Sequence, residues 1–109
     1  MFNVLVGNRD DHLRNHGFLR EPTGWRLSPA YDVNPNVHKL EHALTLDGSS
    51  AAPNLDVVLA TAGLYRLGDA AAKRLVEEVR GVVATWREEA VRLGLSRAEQ
   101  TRMAAAFRP

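Results

Sequence analysis

The chain changes texture near residue 50. Residues 1–50 carry all four histidines and most of the turn-forming residues, whereas residues 51–109 are rich in Ala, Val, Arg and Glu. This split predicts irregular backbone and a hairpin first and helices afterwards, an α+β fold that is mainly α. With 109 residues there is room for one domain around one modest core, and not for two.

In the first half, Phe18-Leu19-Arg20 and Trp25-Arg26-Leu27-Ser28 are strand candidates. Glu21-Pro22-Thr23-Gly24 between them puts Pro second and Gly fourth in a turn, which predicts a hairpin from about His16 to Ser28. Upstream, the apolar residues Phe2, Val4, Leu5 and Val6 form a stretch too short to assign to helix or strand. The polar run from Gly7 to Gly17 reads as a loop. Pro29 and Pro35 exclude regular helix after the hairpin. Alternation over His42 to Leu46 predicts a short strand, stopped by Asp47-Gly48.

Three helices are predicted in the second half. Asn54 caps one that presents Leu55, Val58, Leu59 and Ala62 and stops at Gly63. Asp69 caps the longest, whose stripe is Leu75, Val79, Val82, Trp86, Ala90 and Leu93, with Gly94 as its stop. Gly81 inside it calls for a packing reason or a bend. Ser96-Arg97-Ala98-Glu99 is a capping box for the last, which offers Met103 and Phe107.

Fourteen basic residues against thirteen acidic ones give a net charge of +1, so there is no electrostatic case for direct nucleic-acid or membrane binding. The Arg-rich helices pair their charges internally, as with Glu88 and Arg92 at i,i+4. The absence of cysteine excludes disulfides, thiolate metal sites and a Cys nucleophile. No apolar run approaches the ~18 residues of a membrane span, and no basic segment followed by an apolar one opens the chain. The expectation is a soluble, cytoplasmic protein.

The chemistry gathers in Asn8-Arg9-Asp10 and Asn15. Protein kinases use a loop in which an Asp, preceded by Arg, is followed after four residues by Asn. The Asp must accept the proton of the attacking hydroxyl, and the Asn must offer its amide oxygen to a metal on the nucleotide phosphates. A second carboxylate on the same metals usually follows a hairpin, and Asp32 stands there. An isolated Asp-x4-Asn pair would be read as ordinary turn residues; the ordered set of apolar segment, loop, hairpin and Asp32 carries the argument.

Asp10-Asp11-His12-Leu13-Arg14-Asn15, Gly17-Phe18-Leu19 and Trp25-Arg26-Leu27-Ser28-Pro29-Ala30-Tyr31-Asp32 together resemble the HipA-like serine/threonine kinases of toxin–antitoxin modules. The resemblance covers nearly the whole chain, including Ala43 to Gly48 and the closing helices. It implies a piece of a protein-kinase-like C-terminal lobe, with residues 1–50 as catalytic loop, hairpin and metal-binding segment and residues 51–109 as its helical part. It further implies Asp10 as catalytic base, Asn15 and Asp32 as magnesium ligands, ATP as co-substrate and a protein hydroxyl as acceptor. Arg9, His12 and Arg14 are supporting residues. His12 is read as a buried ring that bonds loop carbonyls in preference to one that orients Asp10. Tyr31 and Trp25 are read as packing residues.

The chain departs from the family pattern in Arg14, where Lys is usual. It also contains no glycine-rich phosphate loop, and its only lysines, Lys39 and Lys73, both follow the catalytic loop. The expectation is therefore roughly the last quarter of such a kinase, inactive alone, with the nucleotide-binding part and a HipB-like antitoxin as partners. A competing reading is a non-catalytic helical module that binds an antitoxin or a kinase partner. A more remote one is zinc at His38, Glu41 and His42, a literal His-x-x-Glu-His that requires a helix to bring both histidines to one face.

Overall fold

A computed structural model describes residues 1–108. The order is α1 (Phe2–Leu5), β1 (Phe18–Glu21), β2 (Gly24–Leu27), α2 (Leu55–Ala60), α3 (Asp69–Ala84), α4 (Trp86–Arg92) and α5 (Arg97–Met103), with 3-10 turns at Leu13–Asn15 and Ala62–Tyr65. The fold is α+β and mainly α, its strands forming one antiparallel hairpin. Phe18 pairs with Leu27 and Glu21 with Gly24, so Pro22 and Thr23 make the turn, as the sequence predicts.

The core joins distant parts of the chain. Leu5, Val6 and Val83 are buried together, with Met1, Val33, Leu55, Val79 and Phe107 packed against them. The C-terminal segment closes it: Ala106 is fully buried and the Arg108 N–H donates to the Leu5 carbonyl at 2.8 Å. Gly7 permits this approach. Its φ is +64°, and a Cβ there would lie 2.7 Å from the Ala106 carbonyl oxygen.

The predicted caps are present. The Asn54 side chain accepts from the Asp56 N–H, and Ser96 and Glu99 cap α5 reciprocally. Gly94, at φ +78°, and Leu95 return their N–H groups to Val91 and Ala90, which closes α4 in a Schellman motif. Gly68, not Asp69, is the N-cap of α3. α2 ends at Ala60, before Gly63, and gives way to a 3-10 turn.

The long helix is two helices. Thr85 interrupts it: its Oγ1 donates to the Val82 carbonyl at 2.8 Å and competes with the backbone ladder. The buried stripe is also shifted from the predicted one. Ala72, Val76, Val83 and Ala90 are buried, whereas Leu75, Val82 and Leu93 are exposed. Both stripes contain Val79, Trp86 and Ala90, and the choice falls to the side on which α1 and Phe107 lie. Trp86 is half-buried and stacks on Phe107, with ring centroids 4.3 Å apart. Gly81 has no packing reason, because an added Cβ meets nothing within 4 Å. Gly81→Ala is therefore expected to stabilise the fold by about 0.5–1 kcal/mol, read as a higher urea midpoint at unchanged slope.

Residues 42–46 form no strand. Their backbone bonds are scattered: His42 N–H to Ala51, Ala43 N–H to Arg9 and Leu46 N–H to Ser50. Alternation alone cannot make a strand where no neighbour offers a continuous ladder.

Candidate active site

α1 delivers the chain into the polar loop, and the buried residues Val4 to Arg9 anchor its entry. Asn8 is buried and its amide donates to the Asn3 side chain at 3.1 Å. Arg9 is 2% exposed, and its Nη1 donates to the backbone carbonyls of Lys39 and of Asn36, the latter at 3.5 Å. The Arg9 carbonyl accepts from the Ala43 N–H at 3.0 Å. Residue 9 thus fastens the start of the loop to the segment after Asp32 through both side chain and backbone.

Asp10 and Asp11 diverge. Asp11 is tied down, its carboxylate accepting from the Asn3 amide at 2.7 Å and lying 3.0 Å from His16 Nε2. Asp10 projects into solvent and pairs there with Lys39 Nζ. The Lys39 hydrogen bond and charge hold the Asp10 carboxyl below the ordinary carboxylate value, with a smaller contribution from His12. At neutral pH this carboxylate is ionised and can accept a proton.

Asn15 closes the short 3-10 turn. Its Oδ1 accepts from the His12 N–H at 3.0 Å, and its own N–H returns to the His12 carbonyl at 2.8 Å. His12 thus shapes the loop through its backbone. The Asn15 amide nitrogen then donates to Asp32 Oδ2 at 2.7 Å, across 17 positions of sequence. Asn34 donates to the other oxygen, Oδ1, at 2.6 Å. Asp32 sits at φ +54°, a left-handed conformation that Asp tolerates better than most residues.

Two contacts bring Asp32 to Asn15. The Tyr31 hydroxyl donates to the Arg14 carbonyl at 2.6 Å, and the Ser28 N–H donates to the Gly17 carbonyl at 2.8 Å. A Cβ on Gly17 would stand 3.1 Å from Ser28 Oγ, a tight contact that the hydroxyl would have to relieve by a small shift, so glycine eases the close approach of the hairpin's end. Tyr31 is accordingly a clamp on the loop and not a core residue, and it is 47% exposed. Trp25 is also exposed, with the Arg20 guanidinium over its ring, 5.6 Å from the centroid. Arg14 contributes its carbonyl to the clamp, and its side chain is exposed.

Asp32 and Asn15 supply hard oxygen donors, the kind that suit magnesium. Both Asp32 oxygens now receive amide N–H groups, which occupy the positions that a cation would take. Turning the Asn15 oxygen toward Asp32 would give up its bond from the His12 N–H, so the two residues offer donor atoms that suit the ion while the present arrangement serves the loop.

The His-x-x-Glu-His segment does not form a helix, and among the described residues no group of three His, Cys, Asp or Glu is placed to hold a metal. His38 is exposed, whereas His42 is buried. Burial pushes the His42 imidazolium down, only partly offset by a hydrogen bond to the Asn8 backbone, so His42 is a neutral structural residue under the loop. A cavity of about 430 Å³ lies elsewhere, between α1, residues 42–46, α2 and α3, and neither Asp10, Asn15 nor Asp32 lines it.

Lys39 is the residue that sequence reasoning missed. In the sequence it figures as a lysine after the loop and as a link in the histidine motif, and it meets Asp10 across 29 positions that no local pattern spans.

No curated protein and no solved structure matches the chain. A family model does, that of the HipA-like C-terminal domain, over residues 1–86. The matched region contains the whole loop, the hairpin and the Asn15–Asp32 contact, and the chain belongs to the HipA-like C-terminal domain family.

Proposed function

We propose that this chain supplies the catalytic-loop portion of a HipA-like serine/threonine kinase, which transfers the γ-phosphoryl group of ATP to a protein hydroxyl in the cytoplasm. The observation that carries this reading is the Asn15–Asp32 contact at 2.7 Å, beside a loop whose Asp10 is exposed and ionised. Asp10 accepts the proton of the acceptor hydroxyl as the new oxygen–phosphorus bond forms and the bond from the γ-phosphorus to ADP breaks. Asn15 and Asp32 would hold magnesium, which when bound neutralises charge on the phosphates. Arg9 fixes the entry of the loop, His12 its turn, and Tyr31 its distance from Asp32. Residues 1–109 contain no glycine-rich phosphate loop, and the reaction calls for one, with a phosphate-pairing lysine, in a nucleotide-binding part that works with this chain. A HipB-like antitoxin is the expected regulatory partner.

The 109-residue chain alone is expected to release no phosphate from ATP, because phosphoryl transfer depends on positioning and charge neutralisation around the phosphates. Mixed with a polypeptide that carries the glycine-rich loop and its lysine, it is expected to label a serine or threonine with the γ-phosphate. Phosphate release by the isolated chain that Asp10→Asn abolishes, or no transfer by the mixture, would overturn this reading.

A further inference from the structure

Lys39 is placed with more care than a surface lysine needs. Its carbonyl accepts from the buried Arg9 guanidinium, and its N–H donates to Asn36 Oδ1 at 2.9 Å. Asn36 is held in turn by its N–H to the Gly7 carbonyl, also at 2.9 Å. Gly7 and Arg9 flank the start of the catalytic loop, so the backbone of Lys39 is fixed to the loop that carries Asp10. Its ammonium then meets the Asp10 carboxylate. The two lysines of the chain therefore differ: Lys73 is on an exposed helix face, and Lys39 is fastened over the candidate base.

We propose that Lys39 is a positioning residue of this site, one that orients the Asp10 carboxylate toward the acceptor hydroxyl; this rests on the phosphoryl-transfer reading above. The Lys39 ammonium is a compact charge on a flexible stem, so it can stay on one carboxylate oxygen while the other faces the acceptor. The charged or titratable groups that act on Asp10 are Lys39 and, more weakly, His12. Exposed pairs of this kind contribute little to stability. The anchoring of Lys39 therefore points to geometry at Asp10 and not to holding the fold together.

The test uses the 109-residue chain and two exposed substitutions, Lys39→Gln and Lys39→Arg. Carboxyl carbon NMR is expected to give an Asp10 midpoint below the ordinary ~3.9 in the native chain, a return to that value in Lys39→Gln and a low midpoint again in Lys39→Arg. In the mixture with the nucleotide-binding part, Lys39→Gln is expected to move the acid limb of the kcat–pH profile upward, and Lys39→Arg to restore it. An Asp10 midpoint unchanged in Lys39→Gln, or transfer whose acid limb does not move, overturns the role of Lys39. No transfer by the native mixture overturns the phosphoryl-transfer reading instead, and the carboxyl titration then still decides whether Lys39 governs Asp10.

Discussion

Asp10→Asn is expected to lower kcat by about 10²–10⁴ in the mixture that contains the nucleotide-binding part, with ATP affinity little changed. The amide keeps the size of the side chain but has no anionic oxygen, and its carbonyl oxygen is far too weak a base to take the proton. Asp11→Asn provides the contrast. Asp11 accepts from Asn3 and lies against His16, so its replacement disturbs the base of the loop without touching a reacting atom. The expected result there is a destabilisation of about 1 kcal/mol and a much smaller change in kcat. The two single variants, assayed side by side for rate and for urea stability, decide the register of the loop. If Asp11→Asn removed the activity and Asp10→Asn left it, the residue facing the acceptor would be misassigned.

Leu5→Ala is expected to cost about 3 kcal/mol. Leu5 is 1% exposed and forms the buried cluster with Val6 and Val83. Neighbouring segments are also joined to one another by backbone hydrogen bonds, so the vacated space can collapse only in part. For a domain whose stability is of the order of 5–15 kcal/mol, that is a large share of the total. Phe2→Ala is the control on the same short helix: Phe2 is 47% exposed, and its loss is expected to cost under about 1 kcal/mol. Urea unfolding of both variants measures the difference. A Leu5→Ala cost below that of Phe2→Ala would mean that α1 is not anchored by its inner face.

What could be read in the sequence was local. The hairpin turn, the Asn54 cap, the Ser96–Glu99 box and the Gly94 stop are each specified by residues within a few positions of one another, and all four are present. The stripe on α3 was half legible. Residues 72–93 offer two overlapping apolar faces, and only Leu5, Phe107 and Leu55, from distant segments, select between them. The break at Thr85 depends on one hydroxyl finding a carbonyl. At the candidate site, the pairing of Asn15 with Asp32 was legible as an ordered motif. The Tyr31 clamp and the Lys39 contact were not, since each joins irregular segments 17 and 29 positions apart.

The contact of Arg108 with Leu5, and of Ala106 with Gly7, bears on how the molecule comes to be folded. The backbone that leads into the Asn8–Asn15 loop is sealed by residues about a hundred positions later. Closing so wide a loop carries an entropic cost of order (3/2)RT ln n, and contacts of this separation slow the search for the native state. On the ribosome, the hairpin and then the helices can form as they emerge, while the backbone at Leu5 and Gly7 stays uncovered until the segment around Ala106 is free to reach it. Residues 106–108 lie beyond the part of the chain that matches the family model, and yet they close against the backbone from which the Asn8–Asn15 loop departs.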